Sequence, residues 1–175
     1  MKKMGNGLFE LYKEQKNELI KALEAYDPTI KFKYHKDPKN LAAFRKNPFF
    51  MFYPSCWEIS PVQLSGVHFG FYVRAENARL SVGVESPIRN DDKEKFKREV
   101  AEELKNRGMG LRGFDVWPNA GQTKSKVKLL QIRFPFDPEA SRRAIDYYKQ
   151  LREFVFIVSE KIDEYIFSVF CKSMM

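Results

Sequence analysis

Two short segments, Val67–Arg74 and Ala78–Glu85, alternate strictly along the chain. Val67, Phe69, Phe71 and Val73 fall on one face of the first, with His68, Gly70, Tyr72 and Arg74 on the other. In the second, Ala78, Leu80, Val82 and Val84 continue the apolar face, and Arg79, Ser81, Gly83 and Glu85 take the opposite one. Successive side chains of an extended chain leave on opposite sides, so this period marks half-buried strands. A gap this short makes them a hairpin.

A loop at Glu76-Asn77 sets the expected register. Arg74 then lies opposite Arg79, Tyr72 opposite Ser81, Gly70 opposite Gly83 and His68 opposite Glu85. Val73 meets Leu80, Phe71 meets Val82 and Phe69 meets Val84, so apolar residues meet only apolar ones. A one-residue slip would bury Arg79 and Glu85.

Around the hairpin the pattern changes period. Leu8, Leu11, Tyr12, Leu19, Ala22, Leu23 and Tyr26 recur at helical spacing, and Asp27-Pro28 stops that helix. Ile30–Tyr34 reads as an edge strand. His35–Asn47 is a polar stretch with breakers at Asp37-Pro38 and Asn47-Pro48, and Phe49–Tyr53 and Cys56–Ile59 can be strands. Asn90 caps a second helix, with Asp91 and Asp92 in its first turn, Phe96, Val100 and Leu104 as its stripe and Gly108 at its end. Leu111–Trp117 and Lys126–Phe134 read as strands separated by a polar loop. In the latter, Val127 and Leu129 hold one phase while Leu130, Ile132 and Phe134 hold the other, which predicts a β-bulge near Leu129-Leu130 or burial on both faces. Asp137-Pro138-Glu139 starts a last helix. Its apolar pattern runs from Ile145 to Val169, on the order of 50 Å if straight, so it must kink or pack on a second subunit. The expected fold is a single α+β domain over residues 1–175, an antiparallel sheet with helices mainly on one face and a long C-terminal helix.

Composition narrows the function. The 175 residues suit one domain that buries roughly two-thirds of its unfolded surface. No apolar stretch of signal-peptide length opens the chain, and Phe154–Val158 is too short to span a bilayer, so a cytoplasmic protein without a membrane partner is expected. Cys56 and Cys171 read as reduced thiols. Net charge is +8, and +6 of it comes from Lys105–Arg133, where seven basic residues face one acid, Asp115. A localised excess of that kind favours an anionic partner.

Enzyme motifs are sparse. Gly108-Met109-Gly110 lacks the further Gly and the Lys of a phosphate loop, and two His and two Cys, scattered, make no zinc site. No cofactor or metal is expected. A magnesium nuclease core fails because Glu85 is followed by Ser86-Pro87. His68 beside Glu85 is either an acid–base pair or, preferred, an ordinary cross-strand polar pair. The expected Gly70/Gly83 floor is either filled by a helix or ring or left as a shallow groove flanked by Tyr72 and Arg74. Trp117 followed by Lys124, Lys126 and Lys128 combines a stacking surface with phosphate-seeking charges, or is a solvated edge protected by lysine.

The run Gly66–Val73, then Ala78–Val84, then Asn90–Phe96, together with the basic strand Lys126–Phe134 and the amphipathic Asp146–Glu164, resembles an uncharacterised prokaryotic family, domain of unknown function 4268, over about two-thirds of the chain. Members of that family often lie beside nuclease or restriction-like modules, so the resemblance implies an accessory, defence-associated role near nucleic acid.

The leading expectation is a non-enzymatic domain contacting nucleic acid or another polyanion through Arg112, Trp117, Lys124, Lys126, Lys128 and Arg133. His68, Tyr72, Arg74, Arg79 and Glu85 are secondary candidates. A homodimerisation or protein-interaction module using Phe154–Val169 comes next, and a small hydrolase around His68 or Cys56 third.

Overall fold

The computed structural model describes residues 4–33, 41–58, 66–84, 88, 90–109, 111–116 and 127–173. The elements run α1 (Met4–Tyr26), β1 (Lys31–Lys33), α2 (Leu41–Lys46), β2 (Phe49–Tyr53), a 3₁₀ turn (Ser55–Trp57), β3 (Val67–Val73), β4 (Asn77–Val84), α3 (Asn90–Asn106), β5 (Asp115–Val116), β6 (Val127–Pro135), α4 (Ala140–Gln150) and α5 (Arg152–Ser173). The strands form one antiparallel sheet in the order β1-β2-β3-β4-β6-β5. This is the expected α+β class.

The apolar face of the hairpin builds the core. Val67, Phe69, Phe71, Val73, Ala78, Leu80, Val82 and Val84 are all buried. Tyr148 of α4 sets its ring edge-on against Phe52 and Phe69, and Tyr147 reaches Phe114 and Phe134. Phe96, Val100 and Leu104 of α3 join the same cluster, with α3 packed on β6 and α5, and α1 packed on α4. Trp57 stacks flat on Phe69, centroids 5.2 Å apart, and its Nε1 donates to Ser159 Oγ on α5 at 2.9 Å. These helices therefore cover one side of the sheet.

The hairpin register differs from expectation by two residues. Arg74 and Asn77 close the turn through paired backbone hydrogen bonds of 2.8 and 3.3 Å, leaving Ala75-Glu76 as its two central residues. Tyr72 pairs with Arg79, Gly70 with Ser81, His68 with Gly83, and Val73 with Ala78. The Arg74/Arg79, Gly70/Gly83 and His68/Glu85 pairings are thus corrected. An even shift keeps every side chain on its face and every apolar residue against an apolar one, so alternation cannot distinguish the two registers. The turn chemistry misled as well. No non-glycine described residue has positive φ, so Ala75-Glu76 lacks the primed-turn conformation that an Asn-containing turn signals.

The phase slip in β6 is a bulge. Val82 pairs with Leu130, but Gly83 pairs with Lys128, leaving Leu129 as the extra residue. It leaves Leu130, opposite Val82, on the apolar side of the sheet and Lys128, opposite Gly83, on the other.

The expected single closing helix breaks at Leu151. That residue, with φ −90° and ψ 11°, donates its N–H to Tyr148 O in a tighter turn before α5 begins. Leu151 is fully buried, so the break is packed into the core. Asp137 Oδ1 accepts the Glu139 N–H at 2.9 Å in the turn ahead of α4, but the helix itself begins at Ala140 with Glu139 as its N-cap, two residues later than Asp-Pro-Glu implies. Gly108, at φ +63°, ends α3 with its N–H on Lys105 O and that of Met109 on Leu104 O, as expected of a left-handed glycine stop.

Other expectations need correction. The polar stretch before Phe49 contains α2, whose Phe44 packs on Phe9, Tyr12 and Phe49. Cys56–Ile59 is not a strand where it is described; Ser55–Trp57 forms the 3₁₀ turn instead. The strand expected from Leu111 shrinks to Asp115–Val116, preceded by a turn in which Gly113 has φ +81°.

Candidate polyanion-binding face

The side of the sheet away from the helices carries the polar half of every alternating strand. Register lines these residues into rows. Phe49, Tyr72, Arg79 and Arg133 are successive partners across β2, β3, β4 and β6. Lys33, Met51, Gly70, Ser81, Gln131 and Asp115 form the next row, across all six strands. His68, Gly83 and Lys128 form a third.

The first row is a stack. The Phe49 and Tyr72 rings lie 5.3 Å apart at 19°, and the Arg79 guanidinium sits 4.6 Å from the centre of the Tyr72 ring. A cation over an aromatic face is held electrostatically and by dispersion. Tyr72 leans back over Gly70, which is therefore covered by a ring from its own strand rather than by a helix.

Gln131 lies at the centre of the face and is fully buried. Its Oε1 accepts long bonds of 3.5 Å from Arg79 Nη1 and from Lys128 Nζ. Arg79 Nε and Gln131 Nε2 are buried without a hydrogen-bond acceptor among the described residues. Burial chiefly lowers the Arg79 pKa below its usual value; Tyr72 opposes this, and the like charges of Arg74 and Arg133 add to it. Among the described residues, Arg74, Arg79, Arg112 and Arg133 form no ion pair. Asp115, the one acid in these rows, forms none either.

Of the expected basic stretch, Lys105, Arg107, Arg112, Lys128 and Arg133 are described. Arg107 is engaged by Glu103 and Glu160, both at 2.7 Å, tying α3 to α5 on the helical side. Lys105 lies in the last turn of α3, and Arg112 is exposed in the turn before β5. Among these described residues, Lys128 and Arg133 reach the outer face, where they meet Arg79 and Tyr72 from the secondary set, with Arg74 exposed at the hairpin tip. Trp117, Lys124, Lys126 and Glu85 lie outside the described residues.

His68 is 3% exposed on the outer face, whereas Cys56 is exposed beside α5, its Sγ 3.3 Å from Ser159 Oγ. The sheet separates them, so they form no Cys–His pair. Sequence reasoning missed Gln131; its signal was a polar residue amid the buried run Leu129–Ile132.

No family model, curated protein or solved structure matches the chain. Among the described residues, no helix is long and apolar enough to cross a membrane.

Proposed function

We propose that the outer sheet face binds nucleic acid or another polyanion, and that the domain acts by binding rather than by chemistry. The observation that carries this reading is the set of three arginines, Arg74, Arg79 and Arg133, gathered on one face with no ion pair among the described residues. Arg79 is held against Tyr72, its buried Nε without an acceptor among the described residues, as is the Gln131 amide beside it. An incoming phosphate would pair with the exposed Arg74 and Arg133 and relieve the repulsion among the cations. Tyr72 has Phe49 on one side and Arg79 on the other, so its role is to fix the guanidinium. Recognition would then rest on backbone phosphates with little base preference. The accessory role near nucleic acid implied by the family resemblance is of the same kind.

Fluorescence-anisotropy titrations with single- and double-stranded oligonucleotides across a range of salt concentrations test this. Affinity should fall steeply with salt. Arg133→Gln and Arg74→Gln should each weaken binding uniformly across sequences and lower the salt slope by about 1. Absence of binding at low salt would refute the reading.

A second reading, self-association through α5, has its own support. Phe154, Ile157, Val158 and Ile162 are buried within the protomer, but Phe156, Phe167 and Val169 are exposed. Sedimentation of the wild type against Phe156→Ser/Phe167→Ser distinguishes the cases. A concentration-dependent dimer lost in the double variant supports it, and a monomer at all concentrations removes it.

A further inference from the structure

On the helical side, a cleft of about 280 Å³ opens where the end of α1 meets the break between α4 and α5. Tyr26, Asp27, Tyr148, Arg152 and Val155 line it. Three features set it apart from an ordinary surface depression.

First, it contains two opposite charges that do not meet. Asp27 and Arg152 line the same space, yet neither forms an ion pair with the other or with any described residue. Asp27 Oδ1 accepts from the Thr29 N–H at 2.9 Å and from Thr29 Oγ1 at 2.7 Å, which anchors the carboxylate and leaves Oδ2 free. Second, Tyr148 is 4% exposed and lines the cleft, and its hydroxyl has no hydrogen-bond partner among the described residues. Third, the remaining walls are apolar. Tyr26 and Tyr148 meet edge to face at 6.0 Å, and Val155 stands beside them. The break at Leu151 creates this arrangement, because it sets Arg152 and Val155 at the head of a new helix next to Tyr148.

We propose that this cleft binds a small zwitterion of the α-amino-acid class with an apolar side chain. Arg152 takes the carboxylate, Asp27 takes the ammonium, and the ligand's body lies against Tyr26 and Val155. The Tyr148 hydroxyl gains a bond to the ligand's carboxylate. The volume lies just under the range of drug-sized pockets, which suits a molecule of roughly a dozen heavy atoms and excludes a nucleotide. A bridging ligand satisfies both charges at once, whereas a ligand with one charge leaves the other unanswered.

Calorimetric titration of the full chain with phenylalanine and with leucine tests the site. Phenylpropionate, which lacks the ammonium, and phenethylamine, which lacks the carboxylate, serve as single-charge probes. Saturable binding of at least one amino acid is expected, with each single-charge probe weaker by about tenfold or more, the loss of one charge-assisted bond. Asp27→Asn and Arg152→Gln should each cause a similar loss, and Tyr148→Phe a smaller one. The single-charge probes make the comparison on unaltered protein, so a variant that folds poorly does not blunt the test. No saturable binding of either amino acid up to about 10 mM, or equal binding of the single-charge probes, overturns the proposal.

Discussion

The ring of Tyr72 occupies the space that a side chain at Gly70 would need. A Cβ built there would stand 2.8 Å from Tyr72 Cζ and 2.9 Å from its hydroxyl oxygen. Ring and methyl cannot coexist, so Gly70→Ala must swing the ring away from Phe49 and Arg79. We expect a loss of about 1–2 kcal/mol in urea unfolding, since the contact yields at the far end of a side chain rather than at backbone. In a Tyr72→Ala background the same substitution should cost far less. A double-mutant cycle reads the difference directly.

Gln15 joins α1 to the start of α4. Its Oε1 accepts the Ser141 N–H at 2.7 Å, and its Nε2 donates to Pro138 O at 3.1 Å. The residue is 1% exposed, so Gln15→Leu leaves the buried Ser141 N–H without its partner. A destabilisation of about 1–3 kcal/mol is expected, measured as a shift of the urea midpoint at unchanged slope.

Asp137 governs the acid side of the stability profile at this same corner. Its hydrogen bond from Arg143 Nη1 at 2.6 Å, followed by that from the Glu139 N–H, holds its carboxyl below the usual carboxylate value. A depressed folded-state pKa gives stability that is present above the unfolded pKa, about 3.9, and lost as pH falls through the folded one. Asp137→Asn should therefore lower Tm near neutrality and flatten its decline below about pH 4.

Tyr148 governs the alkaline side. Burial, then the negative charge of Asp27, with Tyr26 and Cys56 adding to it, raises its hydroxyl above the usual value of 10.0. The fold thus favours the neutral phenol. Its contribution is complete below pH 10 and declines as pH rises from there toward the raised value, because the unfolded chain ionises first. Tyr148→Phe should show a shallower fall of Tm above about pH 10 than the wild type. Ultraviolet titration should find one tyrosinate fewer in the native variant's late-ionising class.

How much of this was legible depended on which symmetry each pattern could break. Alternation in Val67–Val84 specifies which face is apolar and packs on the helices, although His68 and Ser81 on the other face are buried as well, because an odd slip would set Arg79 in place of Leu80. It says nothing about even slips, so Tyr72 meeting Arg79 was out of reach while the faces themselves were not. The bulge could be read because Val127 and Leu130 are both apolar at an odd interval of three, which strict alternation would put on opposite sides. Helix α2 could not, since six residues show barely two turns of period and Phe44 alone marks its buried side. The length of the closing pattern called for a kink, but nothing in it marks Leu151 as the place. Leu151 fits the helical stripe, and no proline or glycine announces the tighter turn. Within the site, charge composition drew attention to Lys105–Arg133, but Arg107 spends its charge on Glu103 and Glu160. The arginines that gather do so because β6 lies beside β4, a pairing that joins residues some fifty positions apart.

Trp57 gives the molecule a built-in optical reporter. Its indole is fully buried, stacks on Phe69 of β3 and hydrogen-bonds Ser159 of α5, so its emission senses the sheet and the last helix together. In a Trp117→Phe protein it is the sole tryptophan. Separation of α5 from the sheet would then appear as a red-shifted spectrum, without any attached dye.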